Sequence, residues 1–163
     1  MEICRHKDHI EISELDPFLA ELLRQIPASA SPDGVLAAEQ RLFTSPANRK
    51  ETELCAEWKV YVEPELRRLF QSATETVAAD LEQLNGNEKN LANRTLLIPA
   101  KHADAWLSAL NQARLVIAAK YNFTEGELGD HLRSPIGSRR DLSLFQINFY
   151  GFLQEFILRD PGG

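Results

Sequence analysis

The sequence predicts a mainly α fold, a single helical bundle of about five to seven helices with a short two-stranded β patch. Three observations predict it. Apolar residues recur at three- and four-residue steps along most of the chain. Capping residues, first-turn prolines and an Asn-Gly stop fall between those runs. Extended patterns are confined to two short stretches, around Ile10 and around Leu97. At 163 residues, 44% hydrophobic and 26% charged, the chain has the size and composition of one globular domain spanning 1–163.

Taken in order, residues 1–12 read as an extended arm or strand, with Ile10 and Ile12 alternating with His9 and Glu11. Ser13-x-x-Asp16 reads as a capping box and Pro17 as a first-turn proline. Phe18, Leu19, Leu22, Leu23 and Ile26 then carry a helix to Pro27, and 27–34 reads as a loop. Val35, Ala38, Leu42 and Phe43 mark a second helix stopped near Pro46. Leu54, Trp58 and Tyr61 mark a third, broken at Glu63-Pro64 because a residue before proline is disfavoured in helical geometry. From Pro64 to Leu84, Leu66, Leu69, Phe70, Ala73, Val77, Leu81 and Leu84 form one stripe, and Asn85-Gly86 supplies a left-handed stop. The opposite face, with Glu65, Glu75, Asp80 and Glu82, reads as solvated.

Residues 87–93 form a polar loop, and 95–98 before Pro99 are extended, ready to pair with the N-terminal arm. A fifth helix runs from Ala103 to Tyr121, with Asn122 as a left-handed terminator and Phe123 closing the cap. Thr124-x-x-Glu127 opens a short helix that ends before Pro135. Ser138 caps the last helix, in which Leu142, Phe145, Phe149, Phe152 and Phe156 line one face and Ile147, Tyr150, Leu153, Ile157 and Leu158 a second. Such a helix needs cover nearly all round, from its own domain or from another chain. Residues 160–163 read as a frayed tail.

Charge and composition exclude several function classes. The net charge of −6 argues against nucleic acid, whose binding draws on cationic surface. No apolar run approaches the roughly 18 residues that cross a bilayer, so no membrane association is expected. The start of the chain lacks a secretory signal, which leads to an expected cytoplasmic location. Cys4 and Cys55 read as free thiols. His6-x-x-His9, with Cys4 and Asp8 nearby, collects ligand types, but in one extended arm the two imidazoles would point to opposite faces, so no metal site is expected. Nucleophile-elbow, phosphate-loop and zinc-protease motifs are absent, and no cofactor is expected.

Two constellations remain. Asn111 and Arg114 share a face of an otherwise apolar helix, and a buried Arg114 would need acceptors, with Asp104, Asp141 and Glu155 as candidates. Such a pair reads either as a structural ion pair or as an anion clamp. Ser138, Arg139 and Arg140 gather a hydroxyl, free helix amides and two guanidinium groups, a candidate site for an anion or an acidic partner. Gly151 inside the last helix marks a close approach of a neighbouring helix.

Trp106, Leu110, Asn111, Arg114 and Leu115 resemble the Trp-x-x-x-Leu-Asn-x-x-Arg-Leu core of an uncharacterised helical bacterial family, one of the domain-of-unknown-function groups. A similar aromatic-rich terminal helix follows in that family, as Phe145 to Leu158 does here. The resemblance implies a helical fold over most of the chain and transfers no catalytic or binding residue. Some relatives are encoded close to an adaptor of the Clp protease, which implies a link to regulated proteolysis. The residues and the resemblance together lead to an expected non-enzymatic interaction or regulatory domain. Its protein partner is unidentified, and Phe145, Phe149, Phe152 and Phe156 offer a homodimer interface. The alternative is an enzyme or binding protein for a small anionic ligand held by Arg114, Arg139 and Arg140.

Overall fold

The computed structural model describes residues 1–85, 94–129 and 136–159. The predicted stop at Gly86, the loop 87–93, the 131–135 part of the basic segment and the tail 160–163 lie outside the described residues.

The expected β patch is a three-stranded antiparallel sheet in the order β1-β2-β3, with β1 Glu2–Arg5, β2 His9–Leu15 and β3 Arg94–Pro99. The arm is therefore two strands, because the chain reverses at residues 6–9, where the His6 amide donates to the His9 carbonyl at 2.8 Å. Alternation then decides the faces. Ile10, Ile12, Leu96 and Ile98 are buried, and Ile12 stands across from Leu96. The register shifts between Ile12 and Leu15, and Glu14 takes φ 52° there. That bulge turns Leu15 into the core as well.

The helices are α1 Pro17–Arg24, α2 Ile26–Ala30, α3 Leu36–Phe43, α4 Thr52–Glu57, α5 Glu63–Leu81, α6 Ala103–Tyr121, α7 Glu125–Gly129 and α8 Arg139–Leu158. A π-helical turn, Trp58–Val62, joins α4 to α5 without a break. The expected break at Glu63-Pro64 is thus corrected: Glu63 keeps helical dihedrals, and Pro64 sits where its missing amide forfeits little. Pro27 likewise opens α2 instead of ending the first helix, so part of the expected loop 27–34 is helical. The first N-cap is Asp16, whose carboxylate accepts from the Leu19 amide at 2.9 Å, while Ser13 belongs to β2.

α6 is the central helix and packs against α2, α3, α5 and α8. Trp106, Leu110 and Ala113 are fully buried within it. Asn122 adopts the left-handed conformation at φ 52°, and its amide and that of Phe123 close the end of α6 onto Ala119 and Ala118. α8 returns antiparallel along α6, so the aromatic helix finds most of its cover inside its own domain. Ile147, Tyr150 and Leu153 are buried, and so is Phe149. A second cluster, Ala38, Leu42, Phe43 and Val116, joins α3 to α6.

Candidate functional site

The predicted polar residues separate into structural contacts and two open surfaces. Asn111 is exposed and joins no buried cluster, which corrects the expected Asn111–Arg114 pair. Arg114 is half-buried between α6 and α8. Its Nη1 donates to Gln154 Oε1 at 2.5 Å, and Gln154 donates on to the Leu107 carbonyl at 3.3 Å. An amide thus takes the place expected for Asp104, Asp141 or Glu155. A Cβ built on Gly151 would stand 3.3 Å from Arg114 Cζ, so the glycine makes room for the guanidinium. Arg114 Nε and Asn148 Nδ2 are buried with no protein partner among the described residues.

The basic corner is organised by helix ends. Ser138 caps α8, accepting from the Asp141 amide at 3.1 Å, and Asp141 accepts from the Gly137 amide at 3.2 Å. Hydrogen bonding to the carboxylate, from the Ser138 side chain first and then from the Gly137 amide, holds the Asp141 carboxyl below its usual range. Arg140 turns back to the carboxyl end of α6, donating to the Tyr121 carbonyl and to Glu127 Oε1, each at 2.5 Å. Its guanidinium also lies 4.3 Å from the centre of the Phe123 ring. Arg5 does the same for α8, reaching the Phe156 carbonyl at 2.9 Å and the Ile157 carbonyl at 2.6 Å. Arg24 reaches the Leu84 carbonyl at 2.7 Å, beyond α5. Cations at carboxyl ends satisfy orphan carbonyls and suit the helix dipole. Arg140 is accordingly a cap, and Arg139 stands apart from it.

Arg139 lines an open cleft of 590 Å³ together with Lys120, Ser29, Ser31, Gln146 and the carboxylate Asp33. Gln146 forms part of a buried network: it donates to the Tyr150 hydroxyl at 2.7 Å, and that hydroxyl donates to the Leu22 carbonyl at 2.7 Å. Burial pushes the Tyr150 phenol up to about 12.

Sequence reasoning missed a second buried network. Asp80, only 7% exposed, accepts from the Trp106 indole at 2.8 Å and lies 2.9 Å from His102 Nδ1. The expected solvated reading of Asp80 is corrected. The signal was present: Asp80 falls three residues after Val77 and four before Leu84, on the apolar stripe itself.

The outward faces differ from expectation too. Of Phe145, Phe149, Phe152 and Phe156, only Phe152 is largely exposed, at 47%. Among the described residues, the longest run of exposed apolar side chains lies instead on α4, the π-helical turn and the start of α5, beside scattered ones such as Phe18, Leu36 and Leu158. From Thr52 through Leu69 no residue is buried, yet Leu54, Val60, Tyr61, Val62 and Leu69 are apolar or aromatic. Leu54, Trp58, Tyr61 and Val62 line a shallow groove of 320 Å³ with Pro46 and Ala47. The Trp58 indole donates to the Phe43 carbonyl at 3.2 Å, tethering this helix to α3.

A family model described as a domain of unknown function, DUF2017, matches residues 5–159. The chain belongs to the DUF2017 family. No curated protein and no solved structure matches it. The match agrees with the expectation of an uncharacterised family and carries no activity with it. Among the described residues, no helix is long and apolar enough to cross a membrane.

Proposed function

We propose that the protein is a non-enzymatic interaction domain whose contact surface is the α4–π-turn–α5 helix, and that the occupant of this surface is a second copy of the chain. The observation behind it is the run from Thr52 through Leu69, in which nothing is buried while five large apolar side chains face outward, Tyr61 at 76% exposure and Val60 at 63%. Exposed apolar patches of this kind mark contact surfaces, and a tyrosine suits the centre of one. The run is about 27 Å long at 1.5 Å per residue, enough for an antiparallel helix pair.

Individual charges can set the register of self-association. Glu51, Glu53 and Glu57 lie at the amino end of the run among Arg49, Lys50 and Lys59, and Arg67 and Arg68 lie at its carboxyl end beside Glu63 and Glu65, so each end carries both signs. A two-fold axis near Tyr61 sets Glu53 of each copy beside the Arg68 end of the other. Arg67 is already shared between Glu39 and Glu63, whereas among the described residues Arg68 is held only by an exposed contact to Glu65. Arg68 is therefore the basic partner, and Glu53 the acidic one. Sedimentation of the full chain tests this: Glu53→Arg weakens dimerisation at least tenfold, and adding Arg68→Glu restores it. A dimer indifferent to both changes, or no dimer, would overturn the proposal. The link to regulated proteolysis implied by the family resemblance belongs to the same reading, as a bridging or scaffolding role needs such a surface.

A second reading rests on the cleft beside α8. Lys120, Arg139 and the Ser29 hydroxyl line it as donors for a small anion, while the Ser31 hydroxyl donates to the Asp33 carboxylate of the same cleft at 2.8 Å. Arg114 takes no part, since it lies between α6 and α8, and Arg140 is committed to Glu127 and Tyr121. Calorimetry with inorganic phosphate tests it, with Arg139→Ala and Lys120→Ala each expected to lower affinity about tenfold.

A further inference from the structure

The β1–β2 hairpin reverses the geometry expected of the N-terminal histidines. The two strands pair with Cys4 across from Glu11 and Arg5 across from Ile10. Arg5 faces the domain, where it caps α8, and Ile10 is buried. Strand alternation therefore places Cys4 and Glu11 on the outward face. The turn adds His6 and His9 to that cluster. Their rings stack with centroids 4.5 Å apart, and His6 Nε2 lies 3.4 Å from Glu11 Oε2. One ligand atom from each of His6, His9 and Glu11 lies within 4.8 Å of the other two.

We infer that His6, His9 and Glu11, with the Cys4 thiolate as fourth ligand, form a binding site for a zinc-type divalent ion on the outer face of this hairpin. Imidazole, carboxylate and thiolate together suit a tetrahedral borderline-soft cation, whose bonds run about 2.0–2.3 Å. Bringing the three atoms onto one ion needs only small rotations of one exposed and two half-buried side chains. The Cys4 sulfur lies outside that 4.8 Å set, but Cys4 stands directly across from Glu11 on the same face, where cross-strand Cβ atoms are about 5 Å apart, so that a change of its χ1 rotamer would carry the sulfur towards the ion.

One further contact fits a metal. Asp8 Oδ1 lies 2.7 Å from His9 Nδ1, the carboxylate–imidazole contact that fixes a ligand's tautomer and leaves Nε2 for the ion. An ion here would fasten the edge strand β1 to β2, and through Arg5 it would steady the end of α8.

The test uses the full chain, freed of metal with a chelator, and Zn²⁺ in competition with a chromophoric chelator. One ion per chain is expected to bind. His6→Ala and His9→Ala are each expected to weaken binding at least a hundredfold, and Asp8→Ala about tenfold. Co²⁺ should give the intense visible bands of a tetrahedral site and a near-ultraviolet thiolate band that Cys4→Ser abolishes. Zn²⁺ should also raise the melting temperature of the native chain but not that of His6→Ala, whose exposed position leaves folding intact. Failure to bind Zn²⁺ below millimolar concentration would overturn the inference, as would binding that survives His6→Ala with His9→Ala. A Co²⁺ complex lacking the thiolate band would remove Cys4 from the ligand set.

Discussion

Replacing Asp80 with alanine tests how the central helix is held. The carboxylate is almost wholly buried and holds two partners from the α6 side of the core, the Trp106 indole at 2.8 Å and His102 Nδ1 at 2.9 Å. Alanine leaves the Trp106 N–H buried without an acceptor, which costs about 1–3 kcal/mol. Loss of the His102 contact adds about 1 kcal/mol, and the space left by the carboxylate adds somewhat more. A total of about 3 kcal/mol is a large share of the roughly 5–15 kcal/mol that stabilises a domain. It should lower the melting temperature by about 6–12 °C in a domain of this size. Urea unfolding in a Trp58→Phe background leaves Trp106 as the single fluorescent reporter, because the chain has 2 tryptophans. Asp80→Asn keeps one acceptor and should fall between the two. A loss under about 1 kcal/mol for Asp80→Ala would mean that the network holds nothing, and the reasoning from burial and unsatisfied donors would fail.

The other predictions concern pH and the middle of α8. Backbone donation at Thr124, then Arg140, lowers the Glu127 carboxyl from 4.5 to about 2. A depressed carboxyl stabilises the fold above its unfolded value, and that contribution is lost as pH falls from about 4.5 towards about 2. Glu127→Gln should flatten the acid limb of a stability-against-pH curve over that window, and an unchanged limb would refute the assignment. Tyr150 moves the other way: its raised phenol contributes stability that is intact below 10 and is lost as pH rises towards about 12. Tyr150→Phe should remove that alkaline loss and, by stripping Gln146 and the Leu22 carbonyl of a partner, cost about 1–2 kcal/mol at neutral pH, read by urea unfolding. Gly151→Leu should drive a side chain into the Arg114 guanidinium and destabilise by about 1–3 kcal/mol, measured in the same way.

What was legible in the sequence was local. Asn122, the Thr124–Glu127 capping box and the Ser138 cap are short-range devices, and the chain uses each as its residues imply. Prolines misled where they sit at first-turn positions: Pro27 and Pro64 start helices that directly continue earlier ones, and a sequence cannot say whether the preceding residue yields. The hairpin at His6–His9 was hidden because its turn has no glycine and the strands are short. Long-range partners were the least visible. Asp80 lies 22 residues from His102 and 26 from Trp106, and Arg5 lies 151 from Phe156. The spacing of the aromatic residues on α8 demands cover, but only the packing against α6 decides that most of that cover is internal, with Phe152 and Leu158 left exposed. Conversely, Leu54, Tyr61 and Leu69 looked like core positions by spacing, and the third dimension leaves them outside.

The most direct test of the central claim is the absolute mass of the full chain across a wide concentration range, beside Tyr61→Glu. The account predicts a concentration-dependent dimer for the native chain and a folded monomer for the variant, because a charge at the two-fold axis meets its own copy. A native chain that stays monomeric at high concentration, or a dimer that Tyr61→Glu leaves intact, would contradict it.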